Sequence, residues 1–252
     1  MTPPLFWVEE VPAVGALADL GGTEGHHAVT VTRIVAGDRI TVSDGVGTIA
    51  ECDVDTTLAK DRLRYRVVSR RAVPQPEPPV TLVQALPKSD RSELTVELAT
   101  EAGVDRIVAW QSARCVSRWV GSRAEKGIRK WSATAATAAK QSRRPRIPVV
   151  DGPVATSEVR GIVADVVGAG GVALVLHESA PADLADLPLG DATGIVLVVG
   201  PEGGLDPGEL DDLVALGARA VRMGPEVLRT STAAAVALGA IGVRTRRWSS
   251  AR

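Results

Sequence analysis

Runs of apolar residues alternate with helix-like segments along the chain after residue 79. The runs at 172–176 and 195–199 contain only apolar residues, which is typical of strands buried on both faces of a parallel sheet. Between such runs, apolar positions recur with the spacing of helices. The alternation predicts an α/β domain with a mainly parallel sheet. Its predicted strands cover residues 80–86, 106–110, 172–176, 195–199 and 220–223, and its predicted helices cover 89–102, 123–140, 157–167, 207–216 and 231–244.

The pattern before residue 73 is different, because short strand-like segments are separated by turn residues. Strands are predicted at 28–35, 39–43, 47–54 and 63–69, with turn signals at 36–38 and 44–45, as in a small antiparallel barrel. The proline-rich segment 73–79 suits neither a helix nor a central strand. We therefore expect a β-rich domain at 1–72, a linker at 73–79 and an α/β domain at 80–252.

Composition narrows the class of protein. The 252 residues are 45% hydrophobic, yet no apolar run has membrane-spanning length and the N-terminus lacks the features of a signal peptide. We expect a cytoplasmic protein without a membrane partner. Cys52 and Cys115 form no CxxC pair, so we expect reduced, buried thiols. The three histidines have no metal-binding spacing, so no metal site is predicted.

The formal net charge of −1 hides three basic clusters. Arginines crowd 62–71, six cations lie between 114 and 130 near Trp119 and Trp131, and four more follow at 140–146. Arginine beside aromatic residues suits phosphate contact and base stacking. Any one cluster is better explained by a solvated surface or by helical ion pairs. The three together favour an RNA partner.

A glycine-rich turn at Gly200-Pro201-Glu202-Gly203-Gly204 follows the apolar run at 195–199, and Asp206-Pro207 then opens a helix. Ligands of open α/β sheets lie beyond the carboxyl ends of strands, although an ordinary strand-to-helix turn explains this segment equally well. Two further strand ends, at 176–178 and 223–233, carry unusual chemistry and could line one pocket with it. The motifs GxGxxG, GxxxxGK[ST] and GxSxG are missing, which argues against Rossmann, P-loop and α/β-hydrolase chemistry.

The segments 200–205, Gly-Pro-Glu-Gly-Gly-Leu, and 224–233, Gly-Pro-x-x-Leu-Arg-Thr-x-Thr-Ala, resemble the RsmE-type 16S rRNA (uracil-N3-)methyltransferases of the SPOUT class. Residues 25–38 resemble that family's N-terminal signature, through Gly-His-His at 25–27, Val-Thr-Arg-Ile at 31–34 and Ala-Gly-Asp at 36–38. Lys88, 97–104 and 138–142 fall where the family has further blocks. The resemblance spans nearly the whole chain.

This resemblance implies a C-terminal SPOUT-type knotted α/β domain, whose last helix is threaded through a loop, and a small N-terminal PUA-like β-barrel that binds RNA. It also implies S-adenosyl-L-methionine (S-adenosylmethionine) as cofactor, a homodimer, and 16S rRNA in the 30S subunit as substrate. Position by position, the cofactor pocket would comprise Leu176, His177, Glu178, Gly200, Pro201, Glu202, Gly203, Met223, Gly224, Val227 and Leu228.

Two residues are candidates for catalysis. Arg229 would stabilise charge on the uracil oxygens through its planar guanidinium, or it pairs structurally with an acid near a helix start. Glu202 would act as a general base or would brace its turn by accepting backbone N–H bonds, and the bracing role is favoured. His177 would contact the cofactor or simply pack at a strand end. Ser231 stands where many members of the family have Glu, so no base is available there.

The resulting prediction is an enzyme that transfers a methyl group from S-adenosylmethionine to N3 of a specific uridine in 16S rRNA. A ribose 2′-O-methyltransferase of the same class and a non-catalytic RNA-binding ribosome-assembly protein remain as alternatives. The expected RNA contacts are Arg33, Arg64, Arg66, Arg70, Arg118, Arg123, Lys140, Arg143 and Arg144. Lys140 and Arg143 replace residues that are more often Glu and Gly in the family.

Overall fold

The computed structural model describes residues 3–88 and 91–249 and divides into two compact units. The first unit combines Met1–Gln75 with Ala139–Ile147, and the second combines Pro76–Ala138 with Pro148–Arg252. The internal segment Ala139–Ile147 thus belongs to the first unit, whereas a linear division of the sequence assigns it to the α/β domain. Sequence spacing carries no signal for such a long-range association.

The first unit is a five-stranded sheet in the order β1-β3-β4-β5-β2, antiparallel except for the parallel pair β1 and β3. Its strands are β1 (Leu5–Trp7), β2 (Leu17–Leu20), β3 (Arg39–Ser43), β4 (Thr48–Ala59) and β5 (Arg62–Ala72), with the short helix α1 (Gly22–His26) and a π-helical turn (His27–Val31) after β2. Phe6, Ile40, Leu63 and Tyr65 are fully buried between them. The alternation of buried and exposed positions in the first half of β5 places Arg62, Arg64 and Arg66 on the outer face.

The predicted strand at 28–35 is wrong, because the chain there forms the end of a helical turn. Gly25 explains the outcome: a Cβ at this position would lie 2.1 Å from the carbonyl oxygen of Asp61. The close backbone approach docks α1 against the β4–β5 hairpin. Ala28 then enters the core from the π-helical turn, and Ile34 enters it from the irregular segment that follows.

Segment Ala139–Ile147 is held inside the first unit by polar contacts. Lys140 Nζ lies 2.7 Å from Oε2 of Glu24 and 4.9 Å from the centre of the Phe6 ring. Ser43 Oγ donates to the carbonyl of Pro145 at 3.1 Å. Arg146 donates to the carbonyls of Val46 and Val73. This segment therefore completes the first unit.

The second unit is built on a seven-stranded, entirely parallel sheet in the order β10-β12-β9-β11-β6-β7-β8, as the apolar runs predicted. Its strands are β6 (Val80–Ala85), β7 (Arg106–Trp110), β8 (Val149–Val154), β9 (Val172–Leu176), β10 (Ala182–Asp183), β11 (Ile195–Val199) and β12 (Arg219–Arg222). Its helices are α2 (Ser92–Glu101), α3 (Ser122–Gln141), α4 (Thr156–Gly168), α5 (Pro207–Ala215) and α6 (Thr230–Arg244). The first residues of the helix predicted at 89–102 lie outside the described residues.

The last helix returns toward the centre of the sheet, since α6 follows β12, the second strand from one edge, but packs against β11 and α2. After α6, Arg247 forms a buried ion pair of 2.8 Å with Asp105 and donates to the carbonyl of Pro78 at 2.6 Å. Within the described residues, no helix is long and apolar enough to cross a membrane.

Candidate active site

A cavity of about 530 Å³ lies at the carboxyl ends of β9, β11 and β12. Its walls come from the loops that leave these three strands, from the first turn of α6 and from the segment after β6. Parallel strands end at the same edge of a sheet, which is why three segments distant in sequence share one cavity.

The cavity brings together most of the predicted pocket. It is lined by Leu176, His177, Glu178, Gly200, Pro201, Glu202, Met223, Gly224, Val227, Leu228 and Arg229. Gly203 does not line it and instead faces Arg114, whose guanidinium donates to the Gly203 carbonyl at 3.4 Å. The glycine-rich turn thus has one side toward the cavity and one toward the loop after β7.

Glu202 supports the glycine-rich turn. Its Oε1 accepts the main-chain N–H of Lys88 at 3.1 Å, although the side chain is otherwise exposed. Gly204 has φ +72°, a conformation that favours glycine, and its N–H donates to the Pro201 carbonyl at 2.9 Å. Asp206 then caps α5 by accepting from the Gly208 N–H at 3.0 Å. The geometry favours bracing over general-base chemistry for Glu202.

The third wall ends at Arg229, the N-cap residue of α6. The Arg229 side chain is exposed and forms no ion pair with any residue in the described ranges 3–88 and 91–249. The alternative of a structural pair with an acid therefore has no support from these residues. Thr230 Oγ1 donates to the Gly200 carbonyl at 3.2 Å and ties the start of α6 to the end of β11.

The wall after β9 is shaped by His177. Its main-chain N–H donates to the Val221 carbonyl at 3.0 Å, and its Nδ1 accepts from the Ser179 N–H at 3.2 Å. The ring thereby stabilises the turn at the strand end. Next to it, Arg222 pairs with Asp183, and this contact lowers the pKa of the Asp183 carboxyl and raises that of the arginine.

Sequence reasoning missed several residues of the cavity, chiefly Lys88, Arg91 and Leu205. Lys88 and Arg91 follow β6, which neighbours β11, so the strand order places them beside the glycine-rich turn. The apolar run at 80–86 predicted a strand, and the residues after such a strand reach the same edge of the sheet. Only the strand order places that strand beside β11.

The chemistry of the lining fits S-adenosylmethionine. Leu176, Leu205, Val227 and Leu228 offer apolar surface for a nucleoside, while exposed carboxylates of Glu178 and Glu226 suit a cationic sulfur. Ser231 Oγ is buried and has no hydrogen-bond partner among the described residues, so a polar atom of a ligand could meet it there.

The predicted RNA-contact residues have different environments. Arg33, Arg123 and Arg143 are exposed, and Arg33 and Arg143 have positive φ angles of 60° and 57°. Arg64 pairs with Asp19 at 2.8 Å, while Arg66 and Arg70 donate to the carbonyls of Gly15 and Val11. Arg118 donates to the carbonyls of Ser112 and Ala113, and Arg144 is half-buried. Lys140 is engaged internally with Glu24.

Both cysteines are free and buried, as the sequence indicated. Burial raises the pKa of the Cys52 thiol to about 12, which keeps it protonated at neutral pH. No group of three or more potential metal-binding side chains occurs among the residues that the structure describes.

Comparison with known proteins agrees with this site. The RNA methyltransferase domain model matches residues 74–242, and the RNA methyltransferase PUA domain model matches residues 20–57. These matches and the sheet topology define an RNA methyltransferase with a PUA-like β-barrel and a SPOUT-type α/β domain. Ribosomal RNA small subunit methyltransferase E of Mycobacterium tuberculosis (strain CDC 1551 / Oshkosh) is 54% identical over 248 residues, which are 98% of this chain and 94% of the relative. The chain belongs to the ribosomal RNA small subunit methyltransferase E family.

Solved structures place the fold in the same family. The ribosomal RNA small subunit methyltransferase E of Neisseria gonorrhoeae, bound to S-adenosyl methionine, has a TM-score of 0.84 and 27% identity, covering 96% of this chain and 98% of that chain. A putative methyltransferase of Legionella pneumophila, also with the cofactor bound, has a TM-score of 0.83 and 25% identity, covering 97% and 99%. These two structures confirm the cofactor that the resemblance implied for the family.

Proposed function

We propose that this protein methylates N3 of a uridine in the 16S rRNA of the small ribosomal subunit, with S-adenosylmethionine as the methyl donor. The position of Arg229 carries the proposal. Its guanidinium, which forms no ion pair with the residues that the structure describes, lines the cavity at the start of α6, within a wall formed by residues 223–229. The names of the relatives support an rRNA substrate, and the cavity lining supports the cofactor.

Methylation at N3 requires a particular electrostatic environment. The N3–H proton of uridine must leave before the nitrogen lone pair can form a bond to carbon, and the negative charge then spreads over N3 and the two carbonyl oxygens. A guanidinium presents several donors in one plane and so matches these coplanar acceptors. Arg229 stabilises this charge, and the proton passes to water.

S-adenosylmethionine, when bound, supplies an electrophilic methyl group on a positively charged sulfur. The residues of the chain orient the reactants. The Gly200 carbonyl and Thr230 Oγ1 keep the first turn of α6 against the end of β11, and Glu202 fixes the glycine-rich turn relative to Lys88. Orientation of this kind accounts for a large part of the rate of a bimolecular transfer.

The first unit is assigned to RNA binding, together with the exposed arginines of the second unit. The support is the RNA methyltransferase PUA match at residues 20–57 and the exposure of Arg33, Arg123 and Arg143. Such contacts with phosphates contribute affinity that falls with salt concentration.

A homodimer also forms part of the proposed function. Val236 and Val243 lie two turns apart on α6 and are 49% and 70% exposed, although the rest of that helix is largely buried. An exposed apolar strip on an otherwise packed helix suits contact with a second copy of the chain.

The test uses 30S subunits from a strain that lacks this protein. Purified wild-type protein and S-adenosylmethionine should create a new stop in primer extension at one uridine, because a methyl group on N3 blocks base pairing. Digestion of the product to nucleosides should find the methyl on the base. A methyl on the ribose would instead identify a 2′-O-methyltransferase, and no methyl transfer would favour a non-catalytic RNA-binding protein.

A further inference from the structure

Ser231 is a buried residue of the cavity wall that carries a hydroxyl group. The residue is 1% exposed and lines the cavity, and its Oγ makes no hydrogen bond to any described residue. Buried polar atoms in native proteins are nearly always paired, and leaving one unpaired is costly. The ligand-free protein therefore contains a buried hydroxyl donor that none of the described residues satisfies.

The neighbouring hydroxyl groups do have partners among the described residues, so the missing partner is specific to position 231. Thr230 Oγ1 donates to the Gly200 carbonyl at 3.2 Å, and Thr232 Oγ1 donates to the Arg229 carbonyl at 3.1 Å. In α3, Ser132 Oγ donates to the Ile128 carbonyl at 2.9 Å, four residues earlier. Ser231 is the second residue of α6, so the residues before it follow a non-helical path and offer no such carbonyl.

The surroundings of Ser231 favour an electron-rich oxygen as its partner. The first turn of α6 contains no acidic residue, and the N-terminal end of a helix attracts negative charge. The main-chain N–H groups of Thr232 and Ala233 return to the Arg229 carbonyl at 2.9 Å, whereas the earlier positions of a helix leave their N–H groups unpaired. Arg229 adds a positive charge next to them.

We propose that Ser231 Oγ donates a hydrogen bond to an oxygen acceptor of a molecule bound in the cavity, and that it is a positioning residue for methyl transfer. Two molecules can present such an oxygen: the cofactor, through its carboxylate or ribose, and the acceptor uridine, through a uracil carbonyl. The inference rests on the proposed function, because both molecules belong to that reaction.

The experiment compares Ser231→Ala with the matched control Ser132→Ala in the full chain. One arm measures the Kd of S-adenosylmethionine by calorimetry without RNA. The second arm measures kcat/KM for unmethylated 30S subunits at saturating S-adenosylmethionine. A third measurement gives the Tm of each ligand-free variant. The control also removes one helical serine hydroxyl, but this hydroxyl is satisfied within α3 and lies away from the cavity.

Ser231→Ala should lose about tenfold in one of the two functional arms, as for a hydrogen bond to a charged or electron-rich acceptor. The arm that responds identifies the source of the oxygen. Its ligand-free Tm should be unchanged or higher than that of the wild type, because the removed atom had no partner and alanine favours helix. This combination of a stable fold and weakened function is not expected of a structural serine.

Two results would overturn the inference. One is a Ser231→Ala variant that matches Ser132→Ala in both functional arms. The other is a ligand-free Tm that falls further in Ser231→Ala than in Ser132→Ala, since the hydroxyl would then have an internal partner. Failure of the proposed function is a separate result, because the wild-type protein and Ser132→Ala would also transfer no methyl group to the subunits.

Discussion

The main-chain N–H of Lys88 donates a hydrogen bond of 3.1 Å to the Glu202 carboxylate. This contact joins the segment after β6 to the glycine-rich turn after β11, two strands that are neighbours in the sheet. The carboxylate therefore fixes the distance between two walls of the cavity. For this role, the side chain must offer an oxygen that accepts a hydrogen bond, and no proton transfer is required.

Replacement of Glu202 should separate bracing from base catalysis. Glu202→Gln keeps an oxygen acceptor and should retain most of the affinity for S-adenosylmethionine, whereas Glu202→Ala should weaken binding by about 1 kcal/mol. Calorimetry measures the affinities. The pH dependence of kcat should be the same for wild type and Glu202→Gln, and loss of the acidic limb in this variant would identify Glu202 as the base.

Replacement of Arg229 should impair the chemical step and leave the fold intact. Because its guanidinium forms no ion pair with the described residues, Arg229→Ala should keep the wild-type Tm but lose about 100-fold in single-turnover methyl transfer. Arg229→Lys should recover only part of the rate, since a point charge lacks the planar donor set. Arg160→Ala is the control, because Arg160 pairs with Asp212 on the surface. Equal rates in Arg229→Ala and the control would contradict the assignment.

The ion pair between Arg247 and Asp105 should be important for stability. The two side chains are 4% and 8% exposed, and Asp105 Oδ2 also accepts the Val80 N–H at 2.8 Å. Arg247→Ala removes one charge of a buried ion pair and should lower the free energy of unfolding by about 3–5 kcal/mol. Urea denaturation measures the change.

Arg106, which follows Asp105 and is the first residue of β7, supplies the control for this ion pair. Arg106 pairs with Asp151 at 2.6 Å, but the side chains are 44% and 39% exposed. Arg106→Ala should cost about 1 kcal/mol or less. A similar loss in both variants would show that burial does not set the strength of the Arg247 pair.

His27 should make the stability of the first unit depend on pH. Burial lowers the pKa of His27, and the nearby Lys140 cation lowers it further, while Glu24 opposes the shift. Its Nδ1 is buried without a partner among the described residues. A depressed pKa in the folded state means that protonation favours unfolding, so stability is complete above the usual value near 6.5 and falls as the pH drops through that value.

Urea titrations between pH 7.5 and pH 5 should measure this loss, with both limits chosen around the usual pKa of histidine, about 6.5. His27→Gln should remove part of the slope of stability against pH in this range. His26→Gln, which changes the exposed neighbouring ring, should retain the slope. An unchanged slope in His27→Gln would contradict the prediction.

The apolar strip on α6 predicts the effect of a charge on assembly. Val236→Asp should convert a wild-type dimer into a monomer in sedimentation velocity, because a carboxylate at an apolar contact must lose its hydration. Val214→Asp changes a valine of α5 that is 46% exposed and should leave the dimer unchanged. A monomeric wild-type protein, or a dimeric Val236→Asp variant, would refute the assignment of this surface.

Local pattern predicted most of the second unit. The strands Arg106–Trp110, Val172–Leu176 and Ile195–Val199 occur at the predicted residues. A strand of a parallel sheet is buried on both faces, and a continuous apolar run suits that environment. The edge strand Val149–Val154 was missed, since Asp151, Gly152 and Pro153 interrupt its apolar pattern. Edge strands tolerate such residues because one of their two sides forms no hydrogen bonds with another strand.

The candidate site was predictable only in part. Unusual residues at three strand ends identified the loops that meet at the cavity, but the distance of Lys88 from Glu202 along the chain hid their contact. The first unit shows the same limit. The cation at Lys140 was expected to face RNA, yet it lies 2.7 Å from Glu24, a partner that no local pattern indicates. Charge patterns identify basic residues and cannot distinguish a solvated one from a paired one.

Segment Ala139–Ile147 has a consequence for biosynthesis. The chain enters the first unit at its beginning and returns to it only after the strands β6 and β7 and most of α3 have been made. Phe6, Glu24 and Ser43 must therefore wait for Lys140 and Pro145 to leave the ribosome before they reach their native partners. The N-terminal unit cannot finish folding ahead of the rest during translation, and a fragment that stops at Gln75 would lack those contacts.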